Sequence, residues 1–158
     1  MPRITKKTPD LDAFCSNYLR QWDKRATVRN TEPYVIRKSD VRTYTIPPMM
    51  QPLTSEPEVQ ELGKAAVRTL ELQTFHNFLD DIARGEIDGV TVLCGRLAND
   101  EFSVSFPNSA RQVALTVATD EAYHAFIARK YMKEIETVFG VEPVDLPAKK
   151  SVIDCALA

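Results

Sequence analysis

Two interleaved rows of seven-residue spacing run through the middle of this chain and dictate a long amphipathic helix. One holds Ala65, Leu72, Leu79, Glu86 and Leu93; the other holds Leu62, Thr69, His76, Ala83, Val90 and Leu97. Together they predict a single buried stripe. Ser55 followed by Glu58 reads as a capping box with Pro57 in the first turn, so the helix is expected to start there. Gly85, Gly89 and Gly95 each cost about 1 kcal/mol relative to alanine, which predicts a second half held by packing or by a ligand, with a bend near Gly85. After a connection through Asn99, Asp100 and Asn108, with an extended piece expected at 102–106, a second long helix is predicted. Ser109 and Gln112 form its capping box, Ala110, Ala114, Val117, Glu121, His124, Ala128, Tyr131, Ile135 and Val138 its inward face, and Gly140 its end.

Glu86, Glu121 and His124 fall on faces that this periodicity assigns to the core. A carboxylate moved into a helix seam without a partner costs several kcal/mol, so two of them there require a cation, a proton or a base. Glu121 and His124, at i and i+3, project from one face one turn apart. That is the Glu-x-x-His spacing of di-iron helical bundles, in which two helices give one Glu each and two others give a Glu-x-x-His each. The chain has one of each kind. Carboxylates with imidazole suit iron first and manganese second, and Cys15, Cys94 and Cys155 stand apart from the trio. The pattern also admits a plainer reading, in which Glu86 pairs with a lysine or arginine and His124 is a core histidine bonded to a carbonyl. His76 lies ten residues before Glu86, about 15 Å along the axis, and reads as a core or supporting histidine.

The remaining segments are shorter. Residues 10–25 predict an amphipathic helix capped by Asp10, with Leu11, Phe14, Cys15, Tyr18 and Trp22 at helical spacing. Pro33, Pro47, Pro48, Pro52 and Pro57 exclude a long helix between Thr31 and Pro57, which reads as a wrapping arm. The organisation is therefore an N-terminal helix and arm (1–54), a helix pair (55–140) and a tail (141–158), together one domain's worth of chain. A net charge of −2, and basic residues near the N-terminus interrupted by Asp10, Asp12 and Asp23, give no reason to expect nucleic acid. Three dispersed cysteines suggest a reducing compartment. No apolar run approaches about 18 residues, and no apolar stretch follows the basic N-terminus. A soluble cytoplasmic protein without membrane contact is expected.

The stretch PLTSEPEVQELGKAAVRTLELQTFHNFLDDIARGEIDGVTVLC, followed by ATDEAYHAFIARKYMKEIETVFGVEPVDLP, resembles the amino-terminal half of the para-aminobenzoate N-oxygenase family of non-haem di-iron enzymes. The likeness rests on the PEV…LG opening, Glu86 with Val90 four residues on, the block Thr119-Asp120-Glu121-Ala122-Tyr123-His124-Ala125, and the trailing VFGVEPVDLP. It implies an all-α, ferritin-like bundle that binds two irons and uses O₂ to oxidise an amine nitrogen stepwise toward nitro. It makes Glu86 a ligand from the first helix, Glu121 the bridging ligand and His124 a terminal one, with Tyr123 a packing residue. Leu79, Ala83, Val90, Val117 and Ala128 are the expected pocket neighbours.

Members of that family continue with a further Glu and a His-rich helix, whereas this sequence stops at Ala158 and has two histidines. The bundle is thus expected to be incomplete: two long antiparallel helices, the short N-terminal helix and the arm. Three outcomes are consistent with this. A homodimer completes the metal sphere across a two-fold axis; a separate partner supplies the missing helices; or the chain is a non-catalytic helical iron-binding or protein-interaction module. Hydrolysis is a weaker chemical alternative to oxidation.

Overall fold

The computed structural model describes residues 10–33, 35, 37 and 46–144. The predicted tail beyond Val144, Cys155, the basic residues Lys6 and Lys7, and most of the arm from Tyr34 to Thr45 lie outside the described residues. Among those described, the structure is all-helical, with no strand.

Helix α1 (Leu11–Arg25) begins where its cap predicts: the Asp10 carboxylate accepts from the backbone N–H of Asp12 at 3.1 Å and of Ala13 at 3.4 Å. A single turn, α2 (Thr27–Asn30), follows. The arm contributes two 3₁₀ turns, Pro48–Met50 and Pro52–Ser55, consistent with the exclusion of a long helix by its prolines. The amphipathic reading of α1 is only partly realised, because Cys15 is buried while Phe14 remains 65% exposed.

The first long helix starts later than its periodicity implied. Ser55 ends a 3₁₀ turn and makes no cap; Glu56 precedes a short helix, α3 (Pro57–Glu61), and also makes no side-chain cap. The break comes at Gly63, whose φ of 89° is open to glycine and strained for other residues. Only then does α4 (Lys64–Arg84) begin, so Leu62 and Ala65 at the head of the two rows are exposed. From α4 the backbone passes without interruption through a π-helical segment, Gly85–Thr91, into α5 (Val92–Ala98). The bend expected at Gly85 is thus a widening of the turn.

Helix α6 (Asn108–Phe139) returns along this rod and is closed by Gly140 at φ 65°, whose N–H reaches the carbonyl of Glu136 at 3.0 Å. Cross-contacts establish that the two are antiparallel. Arg111 Nε donates to the Ala98 carbonyl at 2.8 Å, Arg129 meets Asp80 at 2.5 Å, and His76 meets Glu136 at 3.3 Å. Ser109 does not cap α6. Its buried hydroxyl donates instead to Asp12 at 2.5 Å, joining the foot of α6 to the first turn of α1. The expected extended piece at 102–106 forms bends and no strand.

The core lies between α4 and α6 and consists of Leu72, Leu79, Ala83, Ala125, Ala128, Met132 and Ile135. His76 is buried in this layer, 5% exposed, and satisfied by Glu136, in agreement with a structural role. Past the π segment the predicted stripe fails: Val90 and Leu93 are 37% and 48% exposed, while Gly89 is buried. The wider turn changes the angle between successive residues, so a frame extrapolated from α4 no longer applies. No helix is long and apolar enough to cross a membrane.

Candidate metal centre

Glu86 occupies the second position of the π segment; Glu121 and His124 lie mid-way along α6, on the side facing that segment and α1. A π turn in an otherwise regular helix usually marks a site where a side chain has been re-aimed. Neither glycine of this segment is needed for space, since a Cβ at Gly85 or Gly89 meets nothing within 4 Å. Their contribution is energetic: each weakens the competing α-helix and so narrows its advantage over the wider turn.

The three side chains converge. His124 Nδ1 lies 2.8 Å from Glu121 Oε2 and 3.9 Å from Glu86 Oε1, and one donor atom from each residue falls within 4.8 Å of the others. Among the described residues, the ion pairs of both glutamates are with His124, so the alternative of a lysine or arginine partner for Glu86 does not describe the site. Nor is His124 a core histidine: its side chain is 51% exposed, against 23% for Glu86 and 22% for Glu121. The expectation that all three turn fully inward is corrected to two half-buried carboxylates with an imidazole at their solvent edge.

Burial, hydrogen bonding to Glu121 and the charge of that carboxylate together push the Glu86 carboxyl above its usual range, against a smaller opposing effect from His124. Two acids forced together in this way hold a proton between them or gain from a cation. Cys94, from α5, lies outside the trio of donors, yet burial and then the charge of Glu121 push its thiol upward. That keeps it protonated and a poor ligand.

No family model matches the chain, and no curated protein or solved structure matches it either. The donor set is therefore judged on its own chemistry. Two carboxylates and one imidazole, with no thiolate, suit iron, manganese or a similar divalent ion, and the close approach of two acids is the kind of strain such an ion relieves.

Two clefts meet at His124. One, of about 500 Å³ between α1 and α6, is walled by Tyr18, Trp22, Arg25, Val117 and Asp120 and reaches Glu121 and His124. The other, of about 370 Å³, is bounded by Leu79, Ile82, Tyr123, Ile127 and Tyr131 and by the turn after α1. Of the expected pocket neighbours, Val117 lines the first cleft and Leu79 and Ala128 the second, whereas Ala83 belongs to the core and Val90 faces solvent. Sequence reasoning missed Trp22, whose indole N–H donates to Asp120 Oδ2 at 2.9 Å and anchors α1 beside the ligands. A lone aromatic at helical spacing carries no mark of a polar partner 98 residues away.

Proposed function

We propose that the chain is a metalloprotein in which Glu86, Glu121 and His124 form half of a carboxylate-bridged di-iron centre, serving an oxidation by O₂ of an amine nitrogen toward nitro. The supporting observation is the convergence of the three donors within 4.8 Å from two separate stretches of helix. Glu86 and Glu121 would hold the metal with negative charge from opposite helices, and His124 would add an imidazole donor. Bound iron would supply the electron transfer to O₂ that amino-acid side chains do not. The chain's own part is positioning and exclusion of water. Leu79, Ile82 and Ile127 give an apolar wall next to His124 against which a substrate body can rest, and Trp22 holds α1 over the other side. Iron is the first choice of metal and manganese the second.

The openness of the site favours one other reading. With His124 half exposed in the single chain, water reaches the ligands, as suits a helical metal-binding or interaction module without catalysis. The two separate experimentally. Iron-loaded protein should consume O₂ when given a chemical reductant and an arylamine, with accumulation of hydroxylamine or nitro product, and Glu121→Ala should abolish both. Iron binding without reductant-dependent O₂ uptake would leave the non-catalytic module. Failure to bind iron or manganese at all would remove the metalloprotein reading.

A further inference from the structure

Two clefts of unlike character open from the same imidazole, that of His124. The second is chiefly apolar, with Leu79, Ile82, Ile127 and Tyr131 along its wall. The first carries a cation, Arg25, which has no ion pair among the described residues. Two cross-links fix how far Arg25 lies from the site along the helices. Asp12 meets Ser109 and Trp22 meets Asp120, 97 and 98 residues apart in sequence, so α1 and α6 run parallel at a nearly constant offset. At that offset Arg25, three residues after Trp22, stands level with the turn of α6 that carries Tyr123 and His124.

An amine oxidised at this centre has its nitrogen where the clefts meet, beside His124, and its substituents have two ways to leave: toward Arg25 or into the apolar cleft. A ring that bears the amine directly fills one cleft and leaves the other without a use. We infer that the site takes an amino acid with an apolar side chain, its carboxylate on the Arg25 guanidinium and its side chain in the cleft of about 370 Å³. This rests on the amine-oxidation reading above and names the amine.

The chemistry of each arm is complementary. A guanidinium offers a carboxylate two N–H donors in a matching fork. Leu79, Ile82 and Ile127 remove an aliphatic or aromatic side chain from water. Asp120, the acid in the first cleft, has Oδ2 bonded to Trp22 and Oδ1 buried, and a bound cation offsets the charge of Glu121. The first oxidation of such a substrate converts one N–H to N–OH. The second atom of O₂ leaves as water, with two protons and two electrons from an external chemical reductant.

The test is a binding measurement on the full chain loaded with Mn(II), whose uptake is followed first by electron paramagnetic resonance. The single tryptophan, Trp22, walls the first cleft, so its fluorescence reports a ligand there. L-Phenylalanine is expected to shift that emission saturably. It should bind at least about 10-fold more tightly than phenethylamine, which lacks the carboxylate. A margin of about 10-fold is likewise expected over L-alanine, which lacks the apolar arm. Arg25→Gln, at an exposed position, should abolish the preference over phenethylamine and keep the preference over L-alanine; Ile127→Asn should do the reverse, with circular dichroism confirming that each variant is folded. Absence of L-phenylalanine binding overturns the amino-acid inference and leaves the metalloprotein reading standing. So does tighter binding of aniline or 4-aminobenzoate, or a preference over phenethylamine that survives Arg25→Gln. Failure to take up Mn(II) or Fe(II) overturns both.

Discussion

Trp22 donates its indole N–H to Asp120 Oδ2 at 2.9 Å, and Asp120 is the residue immediately before Glu121. The other carboxylate oxygen, Oδ1, is buried without a partner, so this one bond is the chief satisfaction of a half-buried acid. It ties α1 to the helix that bears two of the three donors.

Replacing the indole by a ring without a donor should therefore be costly. Trp22→Phe leaves Asp120 with neither oxygen bonded, and the expected loss is about 1–3 kcal/mol in chemical denaturation. Trp22→Phe with Asp120→Asn should recover part of that loss, because the second change removes the unpaired charge. Equal losses in the single and double variants would show that the ring's packing, rather than its hydrogen bond, anchors α1.

Glu86 gives the metal-free protein an unusual pH dependence. Its carboxyl is raised by burial and by Glu121, so folding favours the protonated form. The associated stability is fully present below the ordinary glutamate range and is lost as pH rises through the raised value. Glu86→Gln should accordingly flatten the fall in apo melting temperature as pH rises from the ordinary glutamate range, about pH 4, through the raised value. It should also raise that temperature at neutral pH while removing metal binding. A variant less stable than wild type at neutral pH would show that the two carboxylates do not oppose folding.

Asp80 acts with the opposite sign. Burial alone would raise its carboxyl, but hydrogen bonds from Arg84 and Arg129 and the charges of both outweigh it and hold it below its usual range. Its contribution is present above the ordinary aspartate range and disappears as pH falls through the lowered value. Because Arg129 belongs to α6 and Asp80 to α4, Asp80→Asn should loosen the helix pair by about 0.5–1 kcal/mol at neutral pH and have little effect in strong acid. Urea titrations at the two pH values provide the comparison.

Two glycines should respond in contrary directions to alanine. At Gly63 the backbone lies at φ 89°, so Gly63→Ala is expected to cost about 1–2 kcal/mol. At Gly85 the conformation is helical and a Cβ meets nothing, so Gly85→Ala should stabilise by about 0.5–1 kcal/mol. Thermal melts of both variants decide the matter.

Much of this architecture is legible in the residues. Asp10 as a cap, Gly140 as a terminator, the antiparallel helix pair and the buried His76 all follow from spacing and local chemistry, and Glu86, Glu121 and His124 do meet. What escaped has physical reasons. Ser55 and Ser109 each match a capping box, but a serine has alternatives: Ser109 serves Asp12 instead, and Ser55 ends a 3₁₀ turn. Gly63 looks like any helical glycine until its neighbours place it at positive φ. The exposure of Val90, Leu93 and His124 was hidden because a periodic pattern shows which residues seek cover, and is silent on whether cover is provided by the same chain.

The widened turn at Gly85–Thr91 makes the spacing of the donors depend on residue count as well as residue type. The wider turn takes up about one residue more than an α-helical path, so deleting one residue there would let the rod close into ordinary α-helix with both flanks near their present faces, while Glu86 would lose the position the wider turn gives it. Length in this short stretch is thus as much a part of the ligand geometry as the carboxylates themselves, and a chain one residue shorter there would aim its first Glu differently even with all three donors retained.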